Sequence, residues 1–402
     1  MRRATRWGAL VALLGAAVAI AALAATTGGR AASAAKKPLV IGWAYDKSGN
    51  MAPFDNPALA AAKIRIKQLN AKGGAAGHKF VIKTCDTQNN DAAKAKSCAL
   101  SLLGQGASIL FTTCDVDFAT PVAQEAIKRG KLAISTCIGT DQMGPKRFGK
   151  AGRLAFSFGN VAQDEGSAMA EYAHSRGWKT AGLATNTLLV YFKNVVQAFD
   201  IRFRQLGGKV VDRESYATGA NNVNTAVSRL NSHKADVYVT STAFGELPAF
   251  VSGLRSLHNN TPILNSWAGD GTYWVTSSPK VTNYYFVTYA SIFGDDPSKD
   301  VRKMIALLKA AGATPGTGGF LGGADTIDGL AIAIKRANGS LKGSVIAAQL
   351  EKFKQVAVLG GKISFSAKLH TVHGRQYRVI KIQANKASYV GPVTAKVIPK
   401  LP

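Results

Sequence analysis

Residues able to do chemistry are sparse in this chain: four cysteines, one close histidine pair and a few neighbouring acids. Cys85, Cys98, Cys114 and Cys137 are too widely spaced to form C-x-x-C, which disfavours a zinc site and redox catalysis. His370 and His373 have no third ligand nearby, so the spacing reads them as exposed loop residues rather than metal ligands. Asp115 and Asp117 suit acid/base work, contact with a ligand, or local turn formation. No G-x-S-x-G elbow, H-E-x-x-H helix, Walker loop or G-x-G-x-x-G turn occurs. Gly316 to Gly322 is rich in glycine, but it follows a helix and reads as part of a loop over Gly312 to Gly323. The expectation is a protein without catalytic residues, resident metal or cofactor.

The elements that must position such residues alternate strand and helix. The stretch IGWAYDKSGNMAPFDNP, from Ile41 to Pro57, is a buried strand running into a turn; a helix follows, with Asn56 as N-cap and Pro57 first inside. Strands are predicted at Leu39 to Tyr45, Phe80 to Thr84, Ile109 to Thr113, Leu132 to Thr136, Ala181 to Thr185, Val210 to Arg213, Val237 to Ser241, Ile263 to Asn265 and Tyr285 to Tyr289. Helical periodicity fills the gaps, which predicts α/β architecture: parallel-dominated sheets with helices on both faces. A Gly/Lys-rich segment, Pro145 to Arg153, separates two βα series and suggests two units. In such sheets ligands bind in the loops after the strands. Those loops bring hydroxyls, acids and rings to one edge: Ser48, Phe54, Asp115, Asp117, Thr140, Tyr191, Phe244, Trp267, Asp270 and Trp274. That mixture suits a small polar solute with an apolar part.

Arg2, Arg3 and Arg6 precede the apolar run Ala9 to Ala25, and Ala32-Ser33-Ala34 follows, the layout of a cleaved signal peptide over residues 1–35. No cysteine lies near the cleavage region to carry a lipid, so a soluble exported chain is expected. Outside the cell an even number of thiols pairs. Three connectivities are open; Cys85 with Cys98 and Cys114 with Cys137 is favoured, since Cys114 and Cys137 end consecutive strands and Cys98 lies in the helix after Cys85. The formal charge is +27; residues 1–35 hold four of the 50 basic residues and none of the 23 acids, leaving +23 on the rest. The lysines and arginines are scattered, without the aromatic-interleaved basic runs that read nucleic acid, so a solvated basic surface is expected.

Several stretches together, KPLVIGWAYDKSG, AAKIRIKQLNAKGGAAGHKFVIKTCDTQNNDAAKAKSCALSLL, ILFTTCDVDFATPVA and GKLAISTCIGT, resemble the type I periplasmic solute-binding proteins of ABC importers, the branched-chain amino acid binding family. The resemblance implies two α/β lobes joined by three crossovers: lobe one over 36–157 with 288–372, lobe two over 158–287 with 373–396. It implies a small-molecule ligand between the lobes, an ABC permease as partner, a monomer, and no nucleic acid. It also implies a ligand carboxylate near Asp115 and Cys137 to Thr140, including Gly139, with Phe54, Tyr191 and Phe244 around the ligand. Two positions depart from it. Asp115 stands where amino acid binders tend to carry serine, and Trp267, followed by Asp270, stands where they hold the ammonium with an acid. An amide, a polyamine-like cation or an aromatic compound fits these acids and rings as well. A ligand-sensing module without a permease is the alternative role.

Overall fold

The computed structural model describes residues 36–402; the leader assigned to residues 1–35 lies outside them. In order come β1 (Leu39–Tyr45), α1 (Ala52–Ala71), β2 (Phe80–Asp86), α2 (Ala92–Gly104), β3 (Ile109–Thr112), α3 (Val116–Lys128), β4 (Leu132–Ser135) and β5 (Ala155–Asn160). Next are α4 (Ala162–Ser175), β6 (Thr180–Asn186), α5 (Val190–Gln205), β7 (Lys209–Tyr216), α6 (Ala220–Asn231), β8 (Val237–Ser241), α7 (Glu246–Ser256), β9 (Ile263–Asn265) and β10 (Tyr284–Thr288). The chain closes with α8 (Lys299–Ala310), α9 (Phe320–Arg336), α10 (Gly343–Leu350), β11 (Val356–Val358), β12 (Gly361–Ile363), β13 (Thr371–Val372), β14 (Tyr377–Gln383) and β15 (Lys386–Val393).

The strands form two main sheets, ordered β13-β5-β4-β3-β1-β2 and β15-β14-β10-β9-β8-β6-β7, and β11 pairs with β12 alone. Central strands such as β3, β4 and β8 are buried along their whole length, as strands covered on both faces must be. The edge strand β15 alternates exposed and half-buried residues and runs antiparallel to β14. The chain passes between the sheets three times: after β5, between β10 and β13, and between β13 and β14. These crossings are fastened to one another. β13 pairs with β5, the Val161 N–H donates to the Val372 carbonyl at 2.8 Å, and the Asn160 N–H donates to the Tyr289 hydroxyl at 3.1 Å. Arg375 is buried beside them, 3.0 Å from the Asp325 carboxylate and 5.5 Å from the centre of the Tyr289 ring.

Four local expectations are corrected. Residues 155–160 form β5, which the sequence reading passed over; its Gly159 and Asn160 weaken the strand pattern, and pairing with β4 and β13 supplies what propensity lacks. Helix α1 begins at Ala52 rather than at Asn56, because Asp46 accepts hydrogen bonds from the Gly49 and Met51 N–H groups and organises the turn ahead of it. Pro57 therefore lies inside the helix and leaves the Pro53 carbonyl free, which accepts from the Thr317 hydroxyl at 3.4 Å. The Gly-rich loop ends at Gly319, and Gly322 and Gly323 belong to α9, where a Cβ would collide with the carbonyls of Thr136 and Ala58. His370 is buried, stacked on Phe156 at 4.0 Å with Nδ1 2.9 Å from the Ala155 carbonyl.

Several strands have lysine at the start and an acid beyond the end. Lys36, Lys37, Lys79, Lys131 and Lys179 precede β1, β2, β4 and β6, whereas Asp46, Asp115, Asp141, Asp164, Glu165 and Asp270 follow β1, β3, β4, β5 and β9. Lys131 and Lys179 also lie just past the carboxyl ends of α3 and α4, where the backbone dipole favours cations.

Candidate ligand-binding site

Both sheets reverse their strand order, between β1 and β3 in one and between β6 and β8 in the other. A ligand crevice in an open α/β sheet lies outside the carboxyl ends of the strands at such a reversal. The loops from both reversals meet at one cavity: Met51 and Phe54 after β1, Cys114 and Asp115 after β3, Leu189, Tyr191 and Phe192 after β6, Ala243 and Phe244 after β8, with Trp267 and Ala268 after β9. As the walls stand the cavity is about 20 Å³, room for roughly one water. As they stand, the walls leave no room for a solute larger than water. A wider opening of about 390 Å³, bordered by Arg65, Asp300, Lys303 and Asp328, is a surface groove with none of these loops in its walls.

Five of the eleven lining residues are aromatic. Phe54 meets Trp267 edge-on at 4.9 Å, and Trp267 stacks on Tyr289 at 5.2 Å with the planes 9° apart. Tyr191 lies on Gly139, where a Cβ would come within 2.6 Å of the ring, so only glycine lets the tyrosine close over the loop after β4. Phe244 has φ of 57°, a backbone conformation that a bulky residue adopts at a cost of about 1 kcal/mol or more, and it turns the loop after β8 toward the cavity.

Acids lie behind the rings. The Tyr191 hydroxyl donates to Glu165 Oε2 at 2.8 Å and the Trp267 N–H donates to Oε1, while burial pushes this carboxyl up to about 8. Asp270 accepts from the Thr288 hydroxyl and the Gly318 N–H, both at 2.6 Å, and burial raises it to about 7. Asp55 joins the first and third loops by accepting from the Asp46 and Cys114 N–H groups at 2.8 and 3.0 Å, and burial raises it to about 7. Asp115 caps α3 through Oδ1, which accepts from the Asp117 N–H at 2.8 Å; burial, then the Asp117 charge, raise it to about 7. Cys85 lies against Cys98 and Cys114 against Cys137, with Cα separations of 5.5 and 4.9 Å, within the reach of a disulfide. Asp55, Cys114 and Cys137 offer ligand atoms within 4.8 Å of one another, but the two sulfurs face each other and not an ion.

Of the residues singled out from sequence, Phe54, Asp115, Tyr191, Phe244 and Trp267 line the cavity, and Gly139 supports Tyr191. Asp270 lies behind Trp267, bonded to backbone and Thr288. Ser48 is exposed outside the cavity, Thr140 is buried and accepts from Gln142 N–H, and Asp117 is paired with Arg147 at 2.6 Å. Trp274 donates to the Gly269 carbonyl at 3.1 Å and is absent from the lining. Sequence reading missed Glu165, Met51, Leu189 and Tyr289. Glu165 had a signal, an acid on an alanine-rich helix face, but its place was hidden while β5 was unrecognised.

A chain with two sheets, three crossings and a cavity at facing strand reversals has the architecture of a periplasmic binding protein. The family model described as "Periplasmic binding protein" matches residues 38–387, and the chain belongs to this family. It is 24% identical over 357 residues to Leu/Ile/Val-binding protein homolog 3 of Brucella melitensis, spanning 86% of this chain and 91% of that protein. The branched-chain amino acid transporter substrate binding protein LivJ of Streptococcus pneumoniae, solved with isoleucine, superposes with a TM-score of 0.74 at 20% identity, covering 88% of this chain and 99% of LivJ. An ABC transporter solute binding protein of Rhodopseudomonas palustris, solved with 3,4-dihydroxybenzoic acid, gives 0.74 at 16% identity, covering 90% and 99%. Among the described residues no helix is long and apolar enough to cross a membrane.

Proposed function

We propose that this chain is the extracytoplasmic solute-binding receptor of an ABC importer: exported, non-enzymatic, and active as a monomer that closes two lobes on a small polar solute. The lobes are residues 36–157 with 288–372 and residues 158–287 with 373–396. The observation that carries this reading is the meeting of loops from two separate strand-order reversals around one aromatic cavity. A solute touching both sets of loops binds the closed form better than the open one, and so raises the population the permease recognises. Phe54, Asp115, Tyr191, Phe244 and Trp267 are the proposed contacts, supported by Gly139 and Asp270. Cys85–Cys98 and Cys114–Cys137 are the proposed disulfides; closing loops of this size stabilises by about 3 kcal/mol each in the chain-entropy view.

A thermal-shift screen of amino acids, amides, amines and aromatic acids tests the reading, because a solute that binds only the folded chain raises its melting temperature. The expected hit also shrinks the radius of gyration in solution scattering. A screen in which no solute raises the melting temperature would overturn the receptor role.

A further inference from the structure

We infer that the solute presents a cationic nitrogen, an ammonium or amidinium group, to Asp115, and that this wall of the site excludes a carboxylate. The inference rests on the receptor reading and specifies the chemistry of the same cavity. Asp115 is 4% exposed and lines the cavity. Its Oδ1 is occupied by the N–H groups of its own helix, and among the described residues nothing donates to Oδ2. Closing the walls on a solute would take that oxygen out of water without a protein donor, a costly arrangement that a cation supplied by the solute relieves directly.

The surroundings point the same way. The lining contains no lysine, arginine or histidine, although basic residues outnumber acidic ones about two to one in the chain. Arg147, the cation beside this loop, is committed to Asp117 at 2.6 Å, the Thr120 hydroxyl at 2.7 Å and Gln142 at 2.9 Å. The charges that bear on Asp115 are Asp117 and Arg147, which are paired with each other, and Asp55 lies under the neighbouring Cys114 N–H. A ligand carboxylate placed here would meet the Asp115 carboxylate with no lysine, arginine or histidine in the lining to offset it. An ammonium would find a carboxylate oxygen and the rings of Phe54, Trp267 and Phe244 beside it.

Four probes of similar carbon skeleton and different charge test this: 3-methylbutylamine, 3-methylbutanamide, 3-methylbutanoate and leucine, titrated calorimetrically into the full exported chain. The amine is expected to bind at least about tenfold tighter than the carboxylate. Its affinity is expected to rise between pH 6 and 8 as Asp115 ionises, because the charged amine favours the charged acid and roughly two pH units span the change. Asp55 titrates in the same range, so the assignment uses Asp115→Asn. Asparagine keeps the helix cap, and the variant is expected to lose about tenfold in amine affinity together with the pH dependence. Tighter binding of leucine or 3-methylbutanoate than of the amine overturns the inference and leaves the receptor role standing. Unchanged amine binding in Asp115→Asn, or no amine binding at all, overturns it as well, whatever the wider solute screen returns for the receptor role.

Discussion

Glu165 is held neutral inside the protein at a pH where a carboxyl in water is ionised. Burial is the largest cause; the N–H of Trp267 and the hydroxyl of Tyr191 work against it and the neighbouring acids Asp164 and Asp270 reinforce it. Because its folded value, about 8, lies above an unfolded value near 4, the folded chain holds a proton that the unfolded chain has released across that window. Stability from this group is therefore complete below about pH 4 and is lost as pH rises through about 8. Asp55, Asp115, Asp164 and Asp270, each raised to about 7, act in the same direction. The melting temperature is expected to be a few degrees higher at pH 5.5 than at pH 8.5, with Glu165→Gln flattening the difference; scanning calorimetry at the two pH values reads it, and a rise toward pH 8.5 would contradict the burial. Tyr191 bridges this acid and the cavity. Replacing it with alanine is expected to weaken solute binding by about 1 kcal/mol or more, and an unchanged calorimetric affinity would remove it from the site.

At the level of elements, the central strands were readable because each is a short apolar run bounded by turn residues, and β1, β8 and β9 fall where periodicity put them. What stayed hidden depended on contacts distant in sequence. The start of α1 is set by Asp46 and by Asn89 and Asn90 beside it, and the start of α9 by its approach to α1 and to Thr136. Glycines that read as a flexible loop are there to let two helices touch. Gly323→Ala is expected to cost about 1 to 3 kcal/mol by overpacking against the Ala58 carbonyl, measured by urea unfolding. Gly312→Ala, with nothing within 4 Å but φ of 71°, is the control whose cost comes from backbone conformation alone. Equal stability of Gly323→Ala and the parent chain would refute the close approach.

For the molecule as a whole, the cavity was legible in outline, since strand-end loops could be ranked by their rings and acids. The sequence could not say that Ser48 points away or that Glu165 backs the site, because both follow from how one sheet faces the other. Nor did it mark the buried Arg375, whose partners Asp325 and Tyr289 are distant along the chain. Removing one member of a buried ion pair leaves the other charged and unsolvated. Arg375→Met is expected to destabilise by about 3 kcal/mol near pH 8 and by less near pH 5, where protonation relieves Asp325, whose carboxyl burial raises to about 6. Chemical denaturation at both pH values measures the difference, and an equal loss at both would count against the pairing.

The fastening of the three crossings has a consequence for motion. Because β5 and β13 share backbone hydrogen bonds and Tyr289 holds Asn160, the crossings are expected to flex about a common line, as leaves on a continuous rod rather than on a ball joint. A swing about one line is a single coordinate, so tryptophan fluorescence after rapid mixing with solute is expected to relax in a single exponential beyond the encounter step.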